Sequence, residues 1–205
     1  MDLQKLFEIQ AELDCHINNE HPVKEGEDRL AKKILALQVE LGELANEWRG
    51  FKFWSHDQKP RRVVYEICKY CGCEGIKTLG FQFESCWYCG GTGLQVVKRP
   101  LLEEYVDCLH FILSIGNDIT YLTDDEIEEV LTNAKVPDDY GNIVDTFIVL
   151  NSYSCELKHC ENRDYINLLT IFLNLGYELG FTDEQIEQAY LEKNRLNYQR
   201  QETNY

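Results

Sequence analysis

The sequence VELGELANEW (residues 39–48) ends a longer segment, 29–48, whose apolar residues recur at helical spacing. The recurring residues are Leu30, Ile34, Leu37, Leu41, Leu44 and Trp48. Two carboxylates, Glu40 and Glu43, stand three residues apart within this pattern, and therefore on one face of the predicted helix. Gly50 follows and suits a C-terminal cap. The segment predicts an amphipathic helix with paired carboxylates beside its buried face.

A second helix with paired carboxylates is predicted from Pro100 to residue 119, since proline is favoured in the first helical turn. Glu104 and Asp107 form its pair, again among apolar residues. Carboxylates one turn apart repel each other unless a cation lies between them, so either pair alone fits a solvated acidic face equally well. If the two helices pack antiparallel, four carboxylates converge. Both pairs together favour a cage for two or three Mg²⁺ ions.

The rest of the chain is predicted to be mostly helical, which makes the fold class all-α. Helical patterns cover 3–17, the apolar segments 142–157 and 165–180, and a last helix from Thr182, while Thr123 and Glu126 form a capping box. We predict that residues 1–56 and 100–205 form one helical bundle. Residues 57–99 are predicted to be a small inserted β module.

The predicted insertion contains cysteines at metal-ligand spacing. The segments RRVVYEI, FQFE and GLQVVK predict three short strands around two C-x-x-C pairs, each followed by glycine. Four thiolates at this spacing suit tetrahedral Zn²⁺, so the module resembles a zinc ribbon. We predict one structural zinc ion per chain, with Cys73 as an alternative to the second ligand. The predicted ligands are Cys68, Cys71, Cys86 and Cys89.

Charge and hydropathy restrict the partners of the protein. The 205 residues include 20 Lys and Arg against 36 Asp and Glu, a formal net charge of −16. Such a surface repels duplex nucleic acid and anionic membranes, so neither is expected as a partner. The first ten residues have no signal-peptide pattern, and no segment approaches the roughly 20 apolar residues that cross a bilayer. The sequence therefore predicts a cytoplasmic globular protein.

The order of the motifs resembles the dimeric dUTPases. An E-x-x-E pair followed by Phe51–Trp54, then an E-x-x-D pair followed by His110-Phe111, is similar to the all-α NTP pyrophosphatases, which include dUTPases, dCTPases and MazG-like enzymes. The resemblance implies that Glu40, Glu43, Glu104 and Asp107 bind Mg²⁺ and are catalytic. It further implies that Glu40 orients or deprotonates the attacking water, while His110 is expected to be a packed residue that supports Asp107.

Both ends of the chain carry further parts of the resemblance. Gln10 lies in a pattern similar to the family's L-Q-x-x-L-(N/D), which implies that its amide accepts from uracil N3–H and donates to a carbonyl. Residues 190–201 are similar to Y-x-x-K-N-x-x-N-x-x-R-Q. There Lys193 and Arg200 are expected to bind phosphates, and Asn197 the sugar 3′-hydroxyl. Lys52 and Trp54 are expected to line the pocket.

The resemblance leads to a preferred function and two alternatives. We predict that a homodimer, with residues from both subunits in each site, hydrolyses dUTP to dUMP and pyrophosphate. A dCTP or broader NTP pyrophosphatase of the same fold is the first alternative. The second is a non-enzymatic regulator that binds proteins through the zinc module. Phage-type relatives also bind a repressor protein, so a protein partner, and a host-cytoplasm location if phage-encoded, are further hypotheses.

Overall fold

A computed structural model of the chain describes residues 1–72, 76–79, 82–136 and 141–203. Within these ranges the chain forms seven helices and four short strands, so the predicted all-α bundle with a small β module is confirmed. The helices are α1 (Leu3–Glu20), α2 (Arg29–Trp48), α3 (Pro100–Ile119), α4 (Asp124–Asn133), α5 (Ile143–Glu156), α6 (Asn162–Glu178) and α7 (Asp183–Glu202). The strands are β1 (Val64–Ile67), β2 (Ile76–Leu79), β3 (Gln82–Ser85) and β4 (Leu94–Lys98).

Local signals fix where the helices begin. Asp28 caps α2 by accepting from the backbone N–H of Ala31, and Thr182 caps α7. The predicted capping box of Thr123 and Glu126 is present at the start of α4. Because the orphan N–H groups of a first turn need acceptors, these side chains set the helix boundaries that the sequence pattern predicts.

The predicted cap at Gly50 is displaced by one residue. Arg49 ends α2 in the left-handed conformation, with φ 67°, and its guanidinium pairs with Asp57 at 3.0 Å. Gly50 is needed for a different reason, since a β-carbon there would lie 2.3 Å from the ring of Trp48. The ring therefore covers the turn that leads out of α2.

Helix α3 is the centre of the bundle and packs against α1, α2, α6 and α7. Two tyrosines fix its position against α6 reciprocally. The hydroxyl of Tyr105 donates to the carbonyl of Phe172, and that of Tyr165 donates to the carbonyl of Ile112. Each ring lies over a glycine of the opposite helix, where a β-carbon would come within 2.4 Å of the Tyr105 hydroxyl or 2.1 Å of the Tyr165 hydroxyl. These contacts hold α3 and α6 in close approach.

Helices α2 and α3 run antiparallel, which is the arrangement that brings the four carboxylates together. Lys33, near the start of α2, donates to the carbonyl of Ser114 at 3.4 Å and to Asp118 at 2.7 Å, both near the end of α3. At the other end of the pair, carboxylates of α2 lie beside those of α3. The apolar faces predicted from residue spacing pack against each other between these two ends.

The β module lies between α2 and α3 in the chain and consists of two antiparallel strand pairs. β1 pairs with β4, and β2 pairs with β3. At its base, the N–H of Arg61 donates to the carbonyl of Glu47, and the N–H of Leu101 donates to the carbonyl of Arg61. β2 is an addition to the three predicted strands, while Cys73 lies outside the described residues. The module thus enters and leaves the bundle at one place.

Helices α5 and α6 differ in burial, although both segments were predicted to be buried. α6 buries ten residues, whereas α5 leaves Val144 and Ile148 exposed one turn apart. Through these exposed residues, the apolar side of α5 contributes to an exposed face beside α2.

No helix in the described ranges is long and apolar enough to span a membrane.

Candidate functional site

Three of the four predicted carboxylates form a tight cluster. Glu40 and Glu43 of α2 and Glu104 of α3 each bring one oxygen within 4.8 Å of the others. Glu40 and Glu104 are half-buried, while Glu43 is exposed. Carboxylate oxygens at this separation fit a hard cation such as Mg²⁺, which prefers oxygen ligands.

The electrostatics of the cluster also fit a cation. Burial, together with the neighbouring charges of Asp107 and Glu43, raises the pKa of Glu40 to about 7. Burial and the same two carboxylates, joined by Glu40, raise the pKa of Glu104 to about 7 as well. Both groups therefore resist ionisation when no positive charge compensates them. A divalent cation would favour the ionised forms and relieve the repulsion.

The fourth carboxylate, Asp107, has a different partner. Its Oδ2 accepts a hydrogen bond from the ammonium of Lys193, which reaches over from α7. Burial raises the pKa of Asp107, while the hydrogen bond from Lys193 opposes the increase. Asp107 thus joins the carboxylate cluster to the basic residues of the C-terminal helix.

A cavity of about 550 Å³ opens beside this cluster, among α1, α2, α3 and α7. Six of the predicted site residues line it, namely Gln10, Glu40, Asp107, Lys193, Asn197 and Arg200. The cavity also contains Leu13, Ile17 and Phe111, which give part of its wall an apolar character. An elongated ligand with an apolar ring and an anionic tail matches this division of the wall.

Gln10 is buried in the cavity wall, where its amide is held by three partners. Its Nε2 donates to Asp14 at 2.8 Å, and its Oε1 accepts from the hydroxyl of Tyr190 at 2.7 Å. Nδ1 of His110 lies 2.7 Å from the same oxygen. Since a carbonyl oxygen has two lone pairs, Oε1 is fully used. In this arrangement one N–H of Nε2 remains for a ligand, while acceptance of uracil N3–H, which stays a prediction, would require Oε1 to exchange one of its present partners.

His110 is packed, as predicted, but its partner is Gln10 rather than Asp107. Its ring stacks on Tyr190 with centroids 4.0 Å apart, and only 6% of the residue is exposed. Burial and the nearby Lys193 lower the pKa of His110 to about 3. The imidazole is therefore neutral at physiological pH.

Lys52 and Trp54 lie apart from the residues that the fold brings together. The turn after α2 places them outside the cavity wall, with Trp54 65% exposed. Lys52 instead lies over the ring of Phe51, with Nζ 5.5 Å from its centroid. Within one chain, this turn and the cavity are separate surfaces.

The structure adds cavity residues that the sequence motifs did not include. Lys33 and Ser114 line the wall two turns away from Glu40 and Asp107 on their helices. Their spacing of seven residues places them on the same helix faces as the carboxylates. Extending those two faces by two turns would have identified both residues.

The four predicted zinc ligands converge between the strands of the β module. Their sulfur atoms all lie within 4.8 Å of one another, with Cys68 and Cys86 4.0 Å apart and Cys71 and Cys89 3.5 Å apart. A tetrahedron with Zn–S bonds near 2.3 Å places sulfurs about 3.8 Å apart. Although burial opposes it, the N–H of Gly93 and the neighbouring thiol of Cys71 lower the pKa of Cys89 to about 6. This donor set could bind Zn²⁺.

Comparison with known protein families places these features in a sequence context. A family model described as dUTPase matches residues 2–67 and 87–205, which is most of the chain. The stretch between the two matched ranges, 68–86, contains three of the four clustered cysteines. No curated protein matches the chain.

Proposed function

The chain belongs to the all-α dimeric dUTPase family, whose reaction is hydrolysis of dUTP to dUMP and pyrophosphate, and we propose that this reaction takes place in the cavity beside the carboxylate cluster. The observation that carries the proposal is the cluster of Glu40, Glu43 and Glu104 within 4.8 Å at the edge of that cavity. Acidic clusters are common, but this one is partly buried, and the pKa values of Glu40 and Glu104 are raised. A bound cation would offset the free-energy cost of ionising these two carboxylates.

We propose that Glu40, Glu43 and Glu104 hold catalytic Mg²⁺, with Asp107 as a further ligand once substrate phosphates compete for Lys193. An ion held by these carboxylates would supply positive charge near the substrate phosphates and would make a nearby water more acidic. Glu40 is the carboxylate of this cluster that faces the cavity, so we assign it the role of accepting the water's proton. Bound Mg²⁺ would lower the raised pKa of Glu40 and keep its carboxylate ionised, which is the form that accepts a proton.

Three residues of α7 are proposed to bind the triphosphate and the sugar. Lys193, Asn197 and Arg200 are spaced at i, i+4 and i+7, and all three line the cavity. Cationic donors there would bind phosphate oxygens despite the acidic net charge of the protein. Asn197, between the two cations, is assigned to the 3′-hydroxyl, and a packed wall at that point would exclude a 2′-hydroxyl.

A panel of nucleotides tests the substrate assignment. We expect the highest kcat/KM for dUTP, with dCTP, dTTP and UTP poorer, because pocket shape and hydrogen bonding select both base and sugar. Initial rates with each nucleotide, together with chromatography of the products, measure this. If dCTP exceeded dUTP by about tenfold or more, the dCTPase alternative would replace the assignment. Absence of turnover with every nucleotide would favour the second alternative, a non-enzymatic regulator that binds proteins through the zinc module.

The β module is proposed to hold one structural Zn²⁺ ion through its four cysteines, apart from the magnesium site. Thiolates are soft ligands that select zinc, whereas carboxylates select magnesium. Four thiolates leave no position open for a reacting water, so the ion would stabilise the module without entering the phosphate chemistry.

The exposed face formed by α2 and α5 supports the proposal of a homodimer. Leu35 and Val39 are 61% and 51% exposed on α2, and Ile148 is 61% exposed on the adjacent α5. Exposed apolar residues on two helices in contact with each other favour an interaction surface there. A second copy on this face would also bring the turn with Trp54 to a subunit boundary, which would account for its position outside its own cavity. Light scattering should give the mass of two chains, and a one-chain mass would contradict the proposal.

A protein partner at the β module remains a second proposal. β1 and β4 expose Tyr65, Ile67 and Val96, and the cysteine turns expose Trp87. Aromatic and aliphatic side chains of this kind are enriched in the centres of protein interfaces. This surface supports a protein-binding role in addition to catalysis, such as the repressor contact suggested by phage-type relatives.

A further inference from the structure

The amide of Gln10 is held in one orientation, and its partners differ in how firmly they impose it. The hydroxyl of Tyr190 can either donate or accept a hydrogen bond. His110 is a neutral imidazole, whose proton can reside on either ring nitrogen. Its Nε2 has no hydrogen-bond partner among the described residues. If Gln10 turned over, the proton of His110 could therefore move to Nε2, and Nδ1 would accept from the amide nitrogen of Gln10 in place of its present bond. These two residues would tolerate Gln10 turned over, with nitrogen and oxygen exchanged.

Asp14 is different because a carboxylate only accepts hydrogen bonds. Its Oδ1 lies 2.8 Å from Nε2 of Gln10, and its Oδ2 accepts from the hydroxyl of Ser114 at 2.7 Å. The ammonium of Lys33 lies 3.6 Å from Oδ2 and compensates its charge. Turning the amide over would place the oxygen of Gln10 against Oδ1, so that two acceptors would face each other. Asp14 is therefore the one partner of Gln10 in the described chain that enforces its orientation.

We propose that Asp14 is a positioning residue that locks the amide of Gln10 as a hydrogen-bond donor toward the substrate base, and thereby selects uracil over cytosine. The inference rests on the proposed function, in which the base of dUTP faces Gln10. Both lone pairs of Oε1 are engaged, so the second N–H of Nε2 is the one polar group that the amide offers to the cavity. Uracil presents a carbonyl where cytosine presents an amino group. A donor pairs with the former and opposes the latter.

Replacing Asp14 by asparagine should remove the lock with little change in shape. The amide of Asn can either accept or donate, so Gln10 would be free to turn over in the variant. After turning, Oε1 would accept from the new amide and direct its second lone pair into the cavity. Nε2 would donate to Tyr190 and His110, both of which can accept. The site would then present an acceptor to the amino group of cytosine.

The decisive experiment compares kcat/KM for dUTP and dCTP in the wild-type enzyme and in Asp14→Asn. We expect the dUTP-to-dCTP ratio to fall by at least about tenfold, with kcat/KM for dCTP rising, as for loss of a site built around one hydrogen bond. Asp118→Asn is the matched control. It removes the same charge beside the same Lys33, from which Asp118 lies 2.7 Å, but its carboxylate is not a hydrogen-bond partner of Gln10. In Asp118→Asn, the ratio of kcat/KM for dUTP to kcat/KM for dCTP should stay at the wild-type value.

Two further variants separate the lock from general damage. Tyr190→Phe removes one partner of Gln10 but leaves Asp14, so its selectivity should be retained even if both substrates are turned over more slowly. Asp14→Ser replaces the carboxylate with a hydroxyl that can donate or accept, and it should relax selectivity if the asparagine variant fails to fold. Thermal midpoints identify any variant that is merely unstable.

The outcomes distinguish this inference from the proposed function. Equal decreases in kcat/KM for dUTP and dCTP in folded Asp14→Asn or Asp14→Ser would overturn the proposed role of Asp14. A purely structural role would lower kcat/KM for both nucleotides by the same factor. A loss of selectivity in Tyr190→Phe as large as in Asp14→Asn would also overturn it. If wild-type enzyme did not hydrolyse dUTP, the proposed function would fail first, independently of any variant.

Discussion

Glu43→Gln should lower kcat by at least about a hundredfold, the scale expected when a metal site loses a ligand. Glu43 is exposed and contributes an oxygen to the three-carboxylate cluster, so the substitution removes a charge without opening a cavity in the core. Far-UV circular dichroism should therefore be unchanged. Asp107→Asn should lower kcat by a similar factor, because it removes a proposed Mg²⁺ ligand and, in addition, the ion pair between Asp107 and Lys193. Steady-state rates at saturating Mg²⁺ and saturating dUTP measure both.

Glu103→Gln is the control for this prediction. Glu103 is an exposed neighbour of Glu104, and its carboxylate accepts from the N–H of Arg99, which a glutamine carbonyl can replace. Its activity should match the wild type. Near-normal rates in both Glu43→Gln and Asp107→Asn would contradict the assignment of the carboxylates to magnesium.

Stability provides a second readout for Glu43→Gln, with a defined sign. Glu40 and Glu104 have folded-state pKa values raised from 4.5 to about 7, so their favourable contribution is complete below pH 4.5 and is lost as pH rises through about 7. At pH 8 without Mg²⁺, the charged cluster therefore destabilises the fold. Removing the Glu43 charge should raise the thermal midpoint under those conditions, although kcat measured at saturating Mg²⁺ falls. Loss of activity through unfolding would give the opposite shift.

Replacing Cys86 and Cys89 by serine should abolish zinc binding. Wild-type protein should contain one Zn²⁺ ion per chain, because four thiolates within 4.8 Å match a tetrahedral site. The side chains of β1 and β4 are almost all exposed, so metal binding is expected to supply much of the free energy that folds this part of the module. The variant should lose the module's structure while the helical bundle persists. Elemental analysis, together with circular dichroism of the helices, measures both effects.

Cys15→Ser with Cys155→Ser is the matched control for zinc binding. Both are exposed free thiols outside the cluster, so this variant should retain the metal. Activity should fall in the zinc-site variant only as far as the module supports the cavity or the subunit contact. Reduced, freshly purified wild-type protein without zinc, or with disulfides among the four cysteines, would refute the assignment.

Local signals in the sequence were sufficient for the helices and for the carboxylate pairs. The bounds of α2 match the prediction because the apolar spacing lies within 29–48 and the capping residue Asp28 directly precedes it. The convergence of Glu40, Glu43 and Glu104 required only that α2 and α3 run antiparallel. A short connection between two amphipathic helices favours that arrangement. The insertion is long, but the pairing of β1 with β4 brings its two ends together, so it connects α2 and α3 as a short loop would.

Contacts between distant segments could not be predicted in the same way. Tyr190 reaches Gln10 across 180 residues, and its hydroxyl occupies a lone pair of Oε1 that the predicted acceptance of uracil N3–H would need. β2, with the sequence IKTL, lacks the alternating aromatic residues of FQFE and the Val and Tyr cluster of RRVVYEI that predicted the neighbouring strands. Trp54 follows α2 in the chain, yet the fold places it outside the cavity wall, which its position in the sequence does not indicate. In each case the deciding interaction lies outside the local sequence window.

The ladder at the base of the β module has a consequence for how this chain can change over generations. Val64 and Lys98 face each other across β1 and β4, so the intervening segment begins and ends at neighbouring points. Loop-closure entropy grows only with the logarithm of length, by about 0.6 kcal/mol for each doubling. Sequence beyond the ladder can therefore lengthen, shorten or be exchanged while α2 and α3 keep their register. The stretch at 68–86, which the family match omits, occupies a position where new segments can be acquired without disturbing the reaction centre.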